Sequence, residues 1–261
     1  MSFFKIIIPC YNSGGYIEKC IRSIEEQTFK DYKIIVINDM TEDNSFEIAT
    51  NLSKEFDNII CIDSNKKLYI GGARNVGIHY NIDSEYTLFI DNDDWINDNN
   101  CLQSIYNTII ENNKPDCIRL SYYYVMGDNK SKIVLDQNTP KDLVDSLYIA
   151  PWTKCIKSNL IVDFPENTLI EDVVQHIEQV DKIKNVVPCP VPIMCWNRNN
   201  SDSCSLEQNK YKQNNKRISS VYRNIADLMD LQCRHDYCES HRLWRINCYK
   251  NLVKEGKEET F

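Results

Sequence analysis

Three carboxylates fall within four positions of "LFIDNDDWIND", Leu88 to Asp98: Asp91, Asp93 and Asp94, directly after an apolar run. Like charges this close must be solvated, held apart or neutralised by a cation. If the backbone stays extended through them, residues two apart share a side, so Asp91 and Asp93 face one ligand while Asn92 and Asp94 face away. An oxygen-only donor set of that kind suits Mg²⁺ or Mn²⁺, which take one or two carboxylates and complete their shell from water and substrate phosphates. The simpler alternative is a polar turn whose Asp and Asn cap a helix starting near Asn99. A second acidic pair, Glu171 and Asp172, opens "IEDVVQHIEQVDKI". A carboxylate there could act as a general base, or the pair could merely complement the positive end of a helix. Cys233, His235, Cys238 and His241 in "CRHDYCESH" have no standard zinc-site spacing.

The elements that must position these groups follow from hydrophobic pattern. "FKIIIP", "YKIIVIND", "NIICIDS" and "YTLFIDND" are nearly continuous β-branched or aromatic runs, as in strands buried on both faces of a parallel sheet. Helical periodicity separates them, first in "SGGYIEKCIRSIEEQTF" with Ser13 as the expected N-cap, then in "EDNSFEIATNLSKEF" and "GGARNVGIHYN". The βαβαβαβ order predicts an α/β sheet with its ligand site at the carboxyl ends of the strands. Those ends read Pro9-Cys10-Tyr11-Asn12, Asn38-Asp39, Ser64-Asn65 and Asp91 to Asp94.

Beyond Asp98 the pattern predicts a helix capped by Asn100, then strands in "DCIRLSYYYVM" and "KIVLD" joined by a hairpin around Gly127. The helix after Glu171 should bury Val173, Val174, Ile177 and Val180. Pro188, Pro190 and Pro192 at alternate positions predict an edge strand or extended segment. Residues 1–98 are thus expected to form a nucleotide-binding half, 99–205 a mixed acceptor-binding half of the same domain, and 206–261 a helical tail.

The 261 residues are 42% hydrophobic, enough for an independent core, and the formal charge of −8 argues against a nucleic-acid partner. Twelve scattered cysteines suggest free thiols in a reducing compartment, and no segment reaches the ~20 apolar residues of a membrane span. A cytoplasmic protein is expected. G-x-S-x-G, P-loop and G-x-G-x-x-G motifs are absent, which argues against hydrolase, P-loop and dinucleotide chemistry.

With those motifs in order, the chain resembles a family 2 glycosyltransferase of the GT-A, Rossmann-like fold, the inverting class that uses nucleotide-diphosphate sugars. "IIIPCYN", "VINDMTEDNS", "GGARNVGI" and "FIDNDDWI" carry the resemblance, and weaker matches continue to about Ser205. The resemblance implies that Asp39 meets the nucleotide base, that Pro9, Tyr11 and Asn12 line its pocket, and that Arg74 and Asn92 help hold the donor. It implies that Asp93 binds Mn²⁺ or Mg²⁺ with Asp91 beside it, and that Asp172 is the general base. Glu171, Lys154 and, more weakly, Glu166 would face the acceptor; Trp152 would either stack on a sugar there or pack in the core. Arg198 and Ser203 would lie on a loop closing over the diphosphate. Met40 departs from the family's usual Gly, which puts the tightness of the turn after Asp39 in question. The implied partners are a nucleotide-diphosphate sugar, most often a UDP-sugar, and a glycan or lipid-linked acceptor. The tail, with Trp244 among Arg242, Arg245 and Lys250, could contact a membrane surface or a second subunit. The rivals are a nucleotidyltransferase and an inactive nucleotide-sugar-binding module.

Overall fold

The computed structural model describes residues 2–133, 150–166 and 171–200. The expected helical tail from Leu206, with Ser203 and the Cys/His cluster, lies outside the described residues, as do the side chains of Val173, Val174, Ile177 and Val180.

The expected alternation is realised: β1 (Ser2–Cys10), α1 (Ile17–Glu25), β2 (Tyr32–Asn38), α2 (Ser45–Glu55), β3 (Ile59–Asp63), α3 (Tyr69–His79) and β4 (Ser84–Phe89). These four strands run parallel in the order β3-β2-β1-β4. Their continuous apolar runs serve two cores. Ile6, Ile8, Ile34 and Val36 pack toward Ile17, Ile21 and Ala49, whereas Ile7, Ile35 and Ile37 pack toward Ala73 of α3. α3 lies flush on the sheet because residue 77 is glycine; a Cβ there would stand 2.5 Å from Ile7 Cγ2. Pro9 is tolerated in this central strand because the β1–β4 pairing ends at Ile7, so its missing N–H faces no strand. α1 starts without a side-chain cap. The Ser13 main-chain carbonyl, not its hydroxyl, accepts from Tyr16 and Ile17, which corrects the expected cap.

The second half continues the same sheet. β5 (Trp95–Ile96), α4 (Cys101–Glu111), β6 (Cys117–Met126), β7 (Asn129–Ile133), β8 (Lys154–Lys157), α5 (Glu171–Lys182) and β9 (Val186–Asn197) extend it as β4-β8-β6-β9-β5. β6 and β7 form the predicted hairpin, with Gly127 at φ 58°. β9 is not an edge strand as expected, for it lies between β6 and β5. The prolines fit because the register slips between Arg119 and Tyr122, and because β5 covers only Met194 and Cys195.

Between β8 and α5 the backbone is irregular, and side chains satisfy it. Gln179 accepts from Val162 N (3.1 Å) and donates to Leu160 O (2.9 Å), Gln175 donates to Val162 O (3.4 Å), and Asn75 makes reciprocal 2.8 Å bonds with the Phe164 backbone. The eight cysteines among the described residues are free, and seven are buried. No helix among the described residues is long and apolar enough to cross a membrane.

Candidate active site

The carboxylate cluster sits at the carboxyl end of β4 in a turn. Ile90 N–H still bonds Ile7 O at 3.0 Å, and Asp94 N–H then closes back onto Asp91 O at 3.0 Å. The expected extended alternation is therefore replaced by the turn. Asp94 does not face solvent; it is 1% exposed, its Oδ1 accepts the Asn197 N–H (2.7 Å), and its Oδ2 has no hydrogen-bond partner. Burial, reinforced by Asp91 and Asp93, pushes its carboxyl well above the usual range.

Asp91 and Asp93 remain half-buried at the turn's surface. Asp91 Oδ1 meets Arg74 Nη2 at 2.9 Å, and Asp93 Oδ2 accepts Asn200 Nδ2 at 2.8 Å. Burial raises the Asp93 pKa, with the charge of Asp91 adding to it. A buried carboxylate beside a second one is a setting that a hard divalent cation relieves. No group of three His, Cys, Asp or Glu side chains converges among the described residues. The chain thus offers this pair, which fits an ion that draws its remaining ligands from water and phosphate.

Arg74 links this turn to the second acidic pair. It is 2% exposed; Nη1 bonds Glu171 Oε1 at 3.0 Å while Nη2 bonds Asp91. Burial opposes its charge, yet Asp91 and Glu171 raise its pKa overall. Glu171 is also raised by burial and lowered by Arg74. Both terminal nitrogens of Arg74 therefore bond protein carboxylates, and the side chain ties the Asp turn to the start of α5. The tie is close because residue 71 is glycine; a Cβ there would meet Pro165 O at 2.6 Å and Glu171 Cβ at 3.2 Å. Asp172 follows in the first turn of α5, half-buried, near enough for its charge to act on Arg74 and Lys154.

At the ends of β1 and β2, Asp39 is 4% exposed. Its Oδ1 accepts Leu68 N (2.5 Å) and Tyr69 N (3.1 Å), and its Oδ2 pairs with Lys67 Nζ at 3.0 Å. The same ammonium lies 3.0 Å from the centroid of the exposed Tyr11 ring, so Tyr11, Asp39 and Lys67 form one patch. Met40 holds the turn at φ 55°, the left-handed conformation that glycine adopts without strain. Asn12 spends its side chain on the second loop, its Oδ1 accepting from Thr41 Oγ1 (3.1 Å) and Glu42 N (3.0 Å). Asn92 Nδ2 donates to Tyr11 O at 3.3 Å, joining this patch to the Asp turn.

Two expected acceptor residues lie inside the fold. Trp152 is 4% exposed, edge-on to Tyr122 (4.9 Å) and 5.6 Å from Trp196. Lys154 is 1% exposed with Nζ 3.4 Å from His176 Nδ1, and burial pushes its pKa down to about 8. Both side chains are enclosed by protein in this structure. Glu166 is exposed beside Gly72. Arg198 stands 4.8 Å over Trp196. Sequence reasoning missed Lys67 and Asn200, which bond Asp39 and Asp93, and Asn75, which holds the Phe164 backbone. Asn75 and Asn200 lie within the quoted "GGARNVGI" and after Arg198, but nothing in their local pattern shows which distant backbone or carboxylate they reach.

A family profile described as "Glycosyl transferase family 2" matches residues 5–155. The chain is 29% identical over 175 residues to "Glycosyltransferase GlyA" of Streptococcus pneumoniae, a match covering 59% of this chain and 24% of that relative. It thus spans about a quarter of that relative's length. Among solved structures it is similar to S. aureus TarS 1-349 in complex with UDP-GlcNAc, with TM-score 0.70, 18% identity, and coverage of 96% of this chain and 72% of that one. It is also similar to the mannosyltransferase PcManGT of Pyrobaculum calidifontis in complex with GDP-Man and Mn²⁺, with TM-score 0.65, 11% identity, and coverage of 96% and 70%.

Proposed function

The chain belongs to glycosyl transferase family 2 and has the expected GT-A fold, and from that premise we propose that it transfers a sugar, with inversion, from a UDP-sugar to a hydroxyl of a glycan or lipid-linked acceptor. The observation that carries the reading is the buried Asp91–Arg74–Glu171 tie, which joins the metal-suited turn to the helix carrying Asp172. The TarS and PcManGT complexes, with UDP-GlcNAc in one and GDP-Man and Mn²⁺ in the other, support a nucleotide-sugar donor and a divalent ion.

In this mechanism Tyr11 and Asp39 receive the base, Lys67 yielding the face of Tyr11 it now covers. Asp93, with Asp91, would hold Mn²⁺ or Mg²⁺, which when bound would supply positive charge to the departing diphosphate. Asp172 accepts the proton of the acceptor hydroxyl, whose oxygen attacks the anomeric carbon. The bond from that carbon to the diphosphate oxygen breaks on the opposite face, its electron pair leaving with the nucleoside diphosphate. Arg74 keeps the two carboxylate groups in register, and Arg198 is a candidate contact to the diphosphate.

The test is product analysis with a panel of nucleotide sugars and Mn²⁺. Release of a nucleoside diphosphate coupled to sugar transfer is expected, with Asp172→Asn slowing it about 10²–10⁴-fold. Release of pyrophosphate would favour a nucleotidyltransferase, and binding without turnover an inactive module.

A further inference from the structure

Asn200 is 8% exposed and reaches back 107 positions to donate its Nδ2 to Asp93 Oδ2 at 2.8 Å. Its neighbours hold it in place. Asn197 N–H donates to Asp94 Oδ1 (2.7 Å), Asn199 N–H donates to Asn197 Oδ1 (3.1 Å), and Arg198 N–H donates to Val125 O (2.8 Å). Asn199 Oδ1 in turn accepts from Gly127 N at 2.6 Å. The end of β9 is therefore fastened to the Asp turn on one side and to the β6–β7 hairpin on the other. The amide is delivered to Asp93 by a framework, not by a free loop.

The residue type is informative. A Lys or Arg at this place would orient Asp93 and also cancel its charge, whereas a carboxamide donates a hydrogen bond and brings none. An outer partner that fixes a ligating carboxylate is worth about 10–100-fold in metal affinity. We propose that Asn200 is a positioning residue for Asp93, holding its carboxylate in one orientation toward a divalent cation while preserving the charge that the cation binds. The role rests on the metal-dependent reading above.

The experiment measures Mn²⁺ binding to the full chain in the presence of UDP, by the electron paramagnetic resonance of free Mn²⁺, alongside UDP binding without metal by calorimetry. Asn200→Ala should weaken Mn²⁺ binding about 10–100-fold while metal-free UDP binding stays within about twofold of the unsubstituted chain. Asn200→Asp keeps the shape but sets a second carboxylate against Asp93. Its melting temperature should fall without metal and recover when Mn²⁺ is added. Mn²⁺ binding unchanged in Asn200→Ala would overturn the proposal and leave the metal reading intact. Equal losses of UDP and Mn²⁺ binding would show a structural role and overturn it too. Failure of the unsubstituted chain to bind Mn²⁺ with UDP would remove the metal reading itself, and this role with it.

Discussion

The two halves of the sheet are built from different materials. Around β1 and β2 the interior is aliphatic: Ile6, Ile7, Ile8, Ile34, Ile35, Val36 and Ile37 are all fully buried. On and beneath α5 the buried groups include Lys154, Glu171, Gln175, His176 and Gln179. The first interior is held by area removed from water, which tolerates any close-packed arrangement of similar volume. The second is held by directional bonds to an irregular backbone, each costly to leave unmade. Such a region gains one defined geometry near Asp172 at the expense of robustness. Arg74 is where the two meet, and substitutions at three places, graded by expected effect, probe the contrast.

The largest effect should come from Arg74→Met, which leaves Glu171 buried without its cation. Removing one partner of a buried ion pair typically costs about 3–5 kcal/mol, read as a loss of unfolding free energy in urea. Adding Glu171→Gln should recover part of that loss, because the stranded charge is gone. If the double variant is no more stable than the single one, the tie does not couple the halves. A shift in the affinity for UDP should accompany the single variant, since Asp91 loses its 2.9 Å ion pair with Arg74.

That contrast also explains what the sequence could disclose. The aliphatic runs announced β1 to β4 and their parallel pairing, because burial on both faces leaves a continuous apolar signature. The Asp cluster and Arg74 were legible as chemistry, but not as geometry. Asp91 to Asp94 form a turn that buries Asp94, and Arg74 reaches 97 positions to Glu171. Gln179, Gln175 and Asn75 act on backbone groups, and a side chain that bonds main chain leaves no periodic trace. The prolines of β9 misled for a related reason: a register slip has no local signal in the slipped strand.

A smaller effect is expected at Lys154, which separates the polar interior from the aliphatic one by its pH dependence. Its pKa is about 8 when folded, against an ordinary value of 10.5. Between these values the unfolded chain holds the proton and the folded chain does not, so stability rises with pH as the buried charge is lost. The penalty is fully present below about pH 8. Buried thiols pull the other way above their ordinary value of 9.0, because burial raises Cys117 to about 12 and the unfolded thiol ionises first. The window from pH 8 to 9 therefore isolates the lysine. There the unsubstituted chain should gain about 1 kcal/mol relative to Lys154→Met. Parallel stability curves for the two across that window would place the ammonium in contact with water.

The smallest effect belongs to the aliphatic half, at the one position where its turn departs from the family pattern. Met40 is half-exposed at φ 55° and its side chain fills no core, so Met40→Gly removes a left-handed strain without opening a cavity. The gain is partly offset by the entropy that glycine loses on folding, which leaves about 0.5 kcal/mol of stabilisation, read as a small rise in melting temperature. Asp39 should not move. Its carboxylate is fixed from the far side by Leu68 N, Tyr69 N and Lys67, and Thr41 N–H is anchored on Asn38 Oδ1 at 2.9 Å. The affinity for UDP should therefore stay the same while stability rises. A loss of affinity in the more stable variant would mean that the strain at Met40 shapes the base pocket, and that the aliphatic half also depends on one imposed geometry.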